Sequence, residues 1–350
     1  VLRITTLTPL ARAGQWLRRS GIQTPEGGVA RYRLTEEGRN LPVSTEITGY
    51  AASGYCFLYE ETGEAEYLTA ARQTGQFLLK RAWNAERQAV PFELEEGAGY
   101  SFFFDCGIIA RALLWLHRLT AEEAYLGRAQ EIGESMAKHF RARQGFHPIV
   151  DLSTMEPLPH EIWWSRMPGA FQLKAALAWR ELEELTGERR YGALYEEQLE
   201  FSLAHYAETL DNEQTPLRKM DRLHAWAYFL EGLQAVADRA PVRYLLKSAL
   251  AHGEKLREEL APEFLRSDVC AQLLRVKILG GGQAGPGELE RIESFQYQSE
   301  DPALDGGYGF GRRNGELTPH VNPVSTVFCL QALSYAQSPD VRHADWRRLI

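Results

Sequence analysis

LYEETGEAEYLTAARQTGQFLL, residues 58–79, decides how this chain folds, because it returns as LHRLTAEEAYLGRAQEIGESM at 116–136 and as LEELTGERRYGALYEEQLEFSL at 182–203. In each copy an apolar helix runs out at a threonine. A tight turn of Gly, Ala and Glu follows, and a tyrosine (Tyr67, Tyr125, Tyr191) opens an amphipathic helix. A self-similar helix-turn-helix unit is the mark of repeated αα-hairpins. Tyr244, after ADRAPVR, reads as a fainter fourth copy.

The helices that lead into those turns form a second series. They read STEITGYAASGYCFLY (44–59), FFFDCGIIARALLWL (102–116), WWSRMPGAFQLKAALAW (163–179), MDRLHAWAYFLEGL (220–233), RSDVCAQLLRVKIL (266–279) and HVNPVSTVFCLQAL (320–333). Each opens on polar or charged residues and then becomes too apolar, and too rich in Ala, Gly and Cys, for a surface helix. Helices apolar on every side belong inside an assembly, while their one-faced partners belong outside. Alternation of the two kinds predicts a closed ring of six hairpins, preceded at residues 1–43 by a helix (8–19) and a loop. The short runs VPFEL and IVDL are expected to form no more than small hairpins in loops.

Composition narrows the partners. The chain has 350 residues, 44% of them hydrophobic, enough for one large core, and no Pro/Gly/Ser-rich linker interrupts the repeats. With 39 Lys and Arg against 47 Asp and Glu the net charge is −8, which argues against nucleic acid or an anionic membrane as partner. No apolar run is long enough to span a bilayer, so no membrane insertion is expected. Cys56, Cys106, Cys270 and Cys329 stand singly within apolar helical patterns, as small core residues in a reducing compartment would. A cytoplasmic location is therefore expected, although a leader could precede Val1. Oligomeric state is not legible.

Six αα-hairpins with acidic and aromatic residues at the inner-helix openings resemble the (α/α)6 toroids of the six-hairpin glycosidase superfamily and of its fold relatives, the polysaccharide lyases and N-acylglucosamine 2-epimerases. The resemblance covers nearly the whole chain and rests on architecture. It implies an all-α (α/α)6 toroid with minor strands in loops, and a carbohydrate substrate bound at the mouth. DGGYGF (305–310) followed by STVFCLQAL also resembles a terpenoid-cyclase or prenyltransferase repeat, but the aspartate-rich or zinc-binding motif and the glutamine-tryptophan repeat of those families are absent.

If the inner helices run parallel, their openings converge on one site. Carboxylates exchange protons with glycosidic oxygens or water, and flat rings cover the apolar faces of sugars. Asp221 is the first candidate for acid/base chemistry and Asp105 the second. Glu46 stands across the ring from Asp221, and His224, one turn after Asp221, is a candidate proton carrier. Trp163, Trp164, Arg166, Arg222, Asp268, Tyr308, Arg312 and His320 are candidates for holding substrate. The arginines suggest an anionic, uronate-containing glycan, since a guanidinium grips a carboxylate in a bidentate fork. Plainer roles compete: Asp105, Asp221 and Asp268 suit helix N-caps, Glu46 suits any first turn, and the arginines can pair with the carboxylates. His147, His160, His224 and His320 lack metal-ligand spacing, so neither metal nor cofactor is expected. These residues predict a glycoside hydrolase, with a lyase or epimerase of the same fold as the alternative and a glycan-binding platform as the third reading.

Overall fold

The computed structural model describes residues 8–94, 99–210, 215–337 and 345–350. Among these the helices are α1 (Pro9–Arg19), α2 (Thr45–Thr62), α3 (Ala65–Phe77), α4 (Phe103–Thr120), α5 (Glu123–His139), α6 (Gln172–Thr186), α7 (Arg189–His205), α8 (Pro216–Gly232), α9 (Ala240–Leu260), α10 (Ser267–Leu279), α11 (Pro286–Glu293) and α12 (Pro323–Gln337). The even-numbered helices form an inner ring in which each packs on the next and α12 returns to α2. The odd-numbered helices stand outside, α3 on α2 through α11 on α10, and the leading helix α1 fills the sixth outer place against α12. This is the (α/α)6 toroid that the hairpin repeat predicts.

Burial separates the two series as the sequence does. Every residue of α12 from Pro323 to Tyr335 and of α4 from Phe103 to Leu116 is buried. In α3 only a stripe is: Tyr67, Ala70, Ala71, Thr74, Gly75 and Phe77. Inner helices approach closely where glycine removes a side chain. A Cβ on Gly107 of α4 would lie 2.4 Å from the Ala175 carbonyl oxygen of α6, and one on Gly232 of α8 would lie 2.8 Å from the Lys174 nitrogen.

The repeated turn has a local cause. Thr62, Thr120 and Thr186 each donate a hydroxyl to the carbonyl four residues back (Leu58, Leu116, Leu182; 2.7 to 2.8 Å). The same hydroxyls accept from the amides of Glu64, Glu122 and Glu188. Left-handed Gly63, Ala121 and Gly187 end the helices, and Tyr67, Tyr125 and Tyr191 enter the core at the third residue of the next helix. The fourth copy is out of register: Tyr244 is 78% exposed, and Val242 takes the buried third place in α9.

Two expected helix starts, and the N-cap role of three aspartates, are corrected. WWSR forms only a short 3-10 turn, Trp164–Arg166, and α6 begins at Gln172, because Pro168 and Gly169 interrupt the run. α8 begins at Pro216 with Thr215 as its N-cap, so Asp221 lies in the second turn and caps nothing. Asp105 and Asp268 are likewise inside α4 and α10, whose N-cap positions are Phe102 and Arg266.

Short antiparallel ladders sit where the chain enters the inner ring. Val43–Ser44 pairs with Val29–Ala30 before α2, and Tyr100–Phe102 with Ile149–Asp151 before α4. Phe264–Arg266 pairs with Gly311–Arg313 before α10, and His320–Val321 with Arg33–Leu34 before α12. They hold fixed the helix starts that carry the polar residues. On the axis beneath, Asp345–Ile350 packs against the ring. Lys174 donates to the Ile350 carbonyl at 2.8 Å and Arg111 to that of Trp346 at 3.2 Å. All four cysteines are free and buried, and among the described residues no helix is long and apolar enough to cross a membrane.

Candidate active site

The inner-helix openings surround a cavity of about 310 Å³, at the small end of ligand pockets. Glu46 and Ile47 reach it from α2, Phe104 and Asp105 from α4, His224 and Tyr228 from α8, and Arg266 and Asp268 from the start of α10. Phe92, Phe102, Trp164 and Phe171 complete an aromatic wall, with Gln172, Asn322 and Val324 between. Trp164 stands edge-on to Phe171 and His224, at ring separations of 5.0 and 5.9 Å.

Two carboxyl groups on adjacent helices dominate one side. Burial raises the Glu46 pKa to about 7. Burial first, then the nearby Glu46 charge, lifts Asp105 well above the usual carboxylate range. Two such groups in one low-dielectric cavity do not both ionise at neutral pH. Asp105 Oδ2 is buried and has no hydrogen-bond partner within the described chain, an unmet acceptor facing a ligand cavity.

The opposite side is built around Arg266. Its Nε and Nη2 grip both Asp268 oxygens at 2.9 and 2.6 Å, and its Nη1 donates to Asp221 at 2.8 Å. Burial works to raise the Asp268 pKa, but the charges of Arg266 and His224 and the hydrogen bonds from Arg266 and the Val269 amide together outweigh it and keep the carboxyl below its ordinary value. His224 moves the other way. Burial, then Arg266, lowers its pKa to about 4, so the imidazole is neutral at neutral pH. Its Nδ1 lies 2.7 Å from Gln272 Oε1 and 3.8 Å from Asp268 Oδ2. Tyr50 and Tyr228 bring their hydroxyls within 3.1 Å across the axis.

Of the candidates named from sequence, the cavity collects Glu46, Asp105, His224, Asp268 and Trp164. Asp221, Trp163 and Arg222 line a smaller hollow beside it, together with Trp164, Ile162 and Arg218. Trp163 is 49% exposed there, with the Arg218 guanidinium 4.9 Å from its ring centre. The remaining four lie elsewhere. Arg166 pairs with Glu161. Tyr308 is fully buried in the core, Arg312 donates to the carbonyls of Gly315 and Ser294, and His320 stands on a strand against Tyr32. Arg266, which lines the cavity, is paired with Asp221 and Asp268 of its own chain, as the competing role for the arginines expects. Sequence reasoning missed Phe92 and Phe171, loop residues with no periodic signal, and Gln272, which looks like any helix-interior glutamine. Among the described residues no three His, Cys, Asp or Glu side chains converge as metal ligands would.

Comparison with known proteins adds the fold's company. No family profile and no curated protein sequence matches the chain. Among solved structures it is similar to a sugar epimerase from a ruminal bacterium, with a TM-score of 0.69 at 12% identity over 93% of this chain and 99% of that one. A cellobiose 2-epimerase from Bacillus thermoamylovorans gives 0.67 at 10% identity over 91% and 94%. An unsaturated glucuronyl hydrolase from a streptococcus gives 0.61 at 10% identity over 94% and 90%. The shared feature is the toroid, and the neighbours that have it are carbohydrate-active enzymes.

Proposed function

We propose that this chain is a carbohydrate-active enzyme that hydrolyses a glycosidic bond, with the Glu46 and Asp105 pair as its acid/base centre. One observation carries the reading: two buried carboxyl groups with raised pKa values share an aromatic-walled cavity. A pair that retains a proton near neutral pH offers one member as general acid to the leaving oxygen and the other as base toward water. Asp221, pinned to Arg266 in the neighbouring hollow, then acts at the rim. Because Arg266 is neutralised internally, the sugar in the cavity is itself uncharged, and a uronate in the glycan lies outside, near Arg218 and Arg222.

The test is a screen of neutral and uronate-containing oligosaccharides for new reducing ends, ultraviolet absorbance of an unsaturated product, and binding heat. Reducing ends without absorbance, lost in Asp105→Asn, are expected. Binding heat without any product would overturn the enzymatic reading in favour of a glycan-binding platform.

A second reading, sugar epimerisation or isomerisation, is favoured by His224. A neutral imidazole facing the cavity opposite the carboxyl pair is placed to take a proton from carbon while a carboxyl returns one. A product of unchanged mass and altered configuration would select it.

A further inference from the structure

We infer that Gln272 is a positioning residue that fixes His224 as the Nδ1–H tautomer and so presents a bare Nε2 to the cavity. A glutamine side chain has one accepting and one donating end, and which end faces which neighbour is decided by its surroundings. Glu231 decides it here. Its carboxylate receives Lys174 at 2.9 Å and an N–H of Arg275, and all three side chains are fully buried. With an N–H of Arg275 on its Oε1 and Lys174 on its Oε2, Glu231 accepts at both oxygens, so the end of Gln272 that faces Oε2 at 3.5 Å is the NH2 group. The amide oxygen is then left pointing at His224 Nδ1, 2.7 Å away.

Both oxygens near that nitrogen, Gln272 Oε1 and Asp268 Oδ2, are acceptors. Nδ1 therefore carries the proton. With burial first and Arg266 second disfavouring another proton, Nε2 keeps its lone pair, and it makes no hydrogen bond among the described residues. The chain Lys174 and Arg275 to Glu231 to Gln272 to His224 crosses α6, α8 and α10 and transmits one piece of information, the ring's tautomer. Arg266, Asp268, Glu231 and Tyr228 are the titratable groups around the imidazole, from α8 and the start of α10. The role as a base rests on the reading of the cavity as an active site, but the tautomer does not.

The experiment is long-range proton–nitrogen NMR of the full chain labelled in its histidine rings, with His224 identified by its disappearance in His224→Gln. At pH 7 the expected pattern is a protonated Nδ1 and an unprotonated Nε2. In Gln272→Met, which keeps the length of the side chain and removes the acceptor, the Nε2–H form should appear. In Gln272→Glu both ring nitrogens should become protonated at the same pH. An Nε2–H or doubly protonated ring in the unaltered protein would overturn the inference, as would an unchanged tautomer in both Gln272 variants. The expected tautomer in a protein that turns over no sugar would instead count against the proposed function and leave this inference standing.

Discussion

At the residue scale, the cavity sets two titrations against each other, and the signs differ. Glu46 has its pKa raised from 4.5 to about 7, so the stability tied to its protonated form is full below about 4.5 and is lost as pH rises through about 7. His224 has its pKa lowered from 6.5 to about 4, so its contribution is full above about 6.5 and is lost as pH falls through about 4. Glu46→Gln should therefore gain melting temperature relative to the unaltered protein as pH rises from 4.5 to 7, and His224→Gln should gain as pH falls from 6.5 to 4. Calorimetry across that range checks both, and a pH-independent difference for Glu46→Gln would mean that its carboxyl ionises freely. The same substitution, or Asp105→Asn, should cost about 10²- to 10⁴-fold in turnover, the usual worth of a general acid or base. Glu46, Asp105, His224 and Asp268 could be singled out from sequence because each falls at or near an inner-helix opening. Tyr308, Arg312 and His320 fall near an opening as well, yet loop packing turns them elsewhere, and position along the chain does not reveal that.

At the element scale, the ring depends on how closely inner helices approach. The hydrogen in place of a side chain at Gly107 lets α4 lie against the Ala175 backbone of α6, where even a Cβ would be 2.4 Å from oxygen. Because the obstacle is backbone, relief requires the helices to part. Gly107→Val is expected to cost at least the roughly 1–3 kcal/mol typical of overpacking, seen as a lower melting temperature. Gly127 of α5, whose Cβ would meet nothing within 4 Å, should tolerate alanine with little change. Sequence could show that these helices are apolar on all sides. Which glycine touches which backbone depends on the ring's register, which no local pattern encodes.

On the scale of the whole molecule, the axis is held by buried charge. Lys174, Glu231 and Arg275 come from α6, α8 and α10 and are fully buried, and Lys174 and Arg275 also donate to the Ile350 carbonyl. Removing one partner of such a cluster leaves the others desolvated without compensation. Glu231→Gln is expected to cost about 3–5 kcal/mol, measured by denaturant unfolding, whereas replacing exposed Glu86 by Gln should change little. The sequence by itself determined the hairpin repeat, the alternation of inner and outer helices and the all-α ring. Those follow from short-range chemistry: a threonine that bonds four residues back, a left-handed turn, and apolar periodicity. Only the tertiary structure decided that α1 closes the ring and that Asp345–Ile350 lies on its axis. It also decided that Arg266 is tied to Asp221 and Asp268, and that Gln272 faces His224. Such contacts join residues far apart in the chain, and their partners are chosen by how the finished ring packs and by which buried charges must be compensated there.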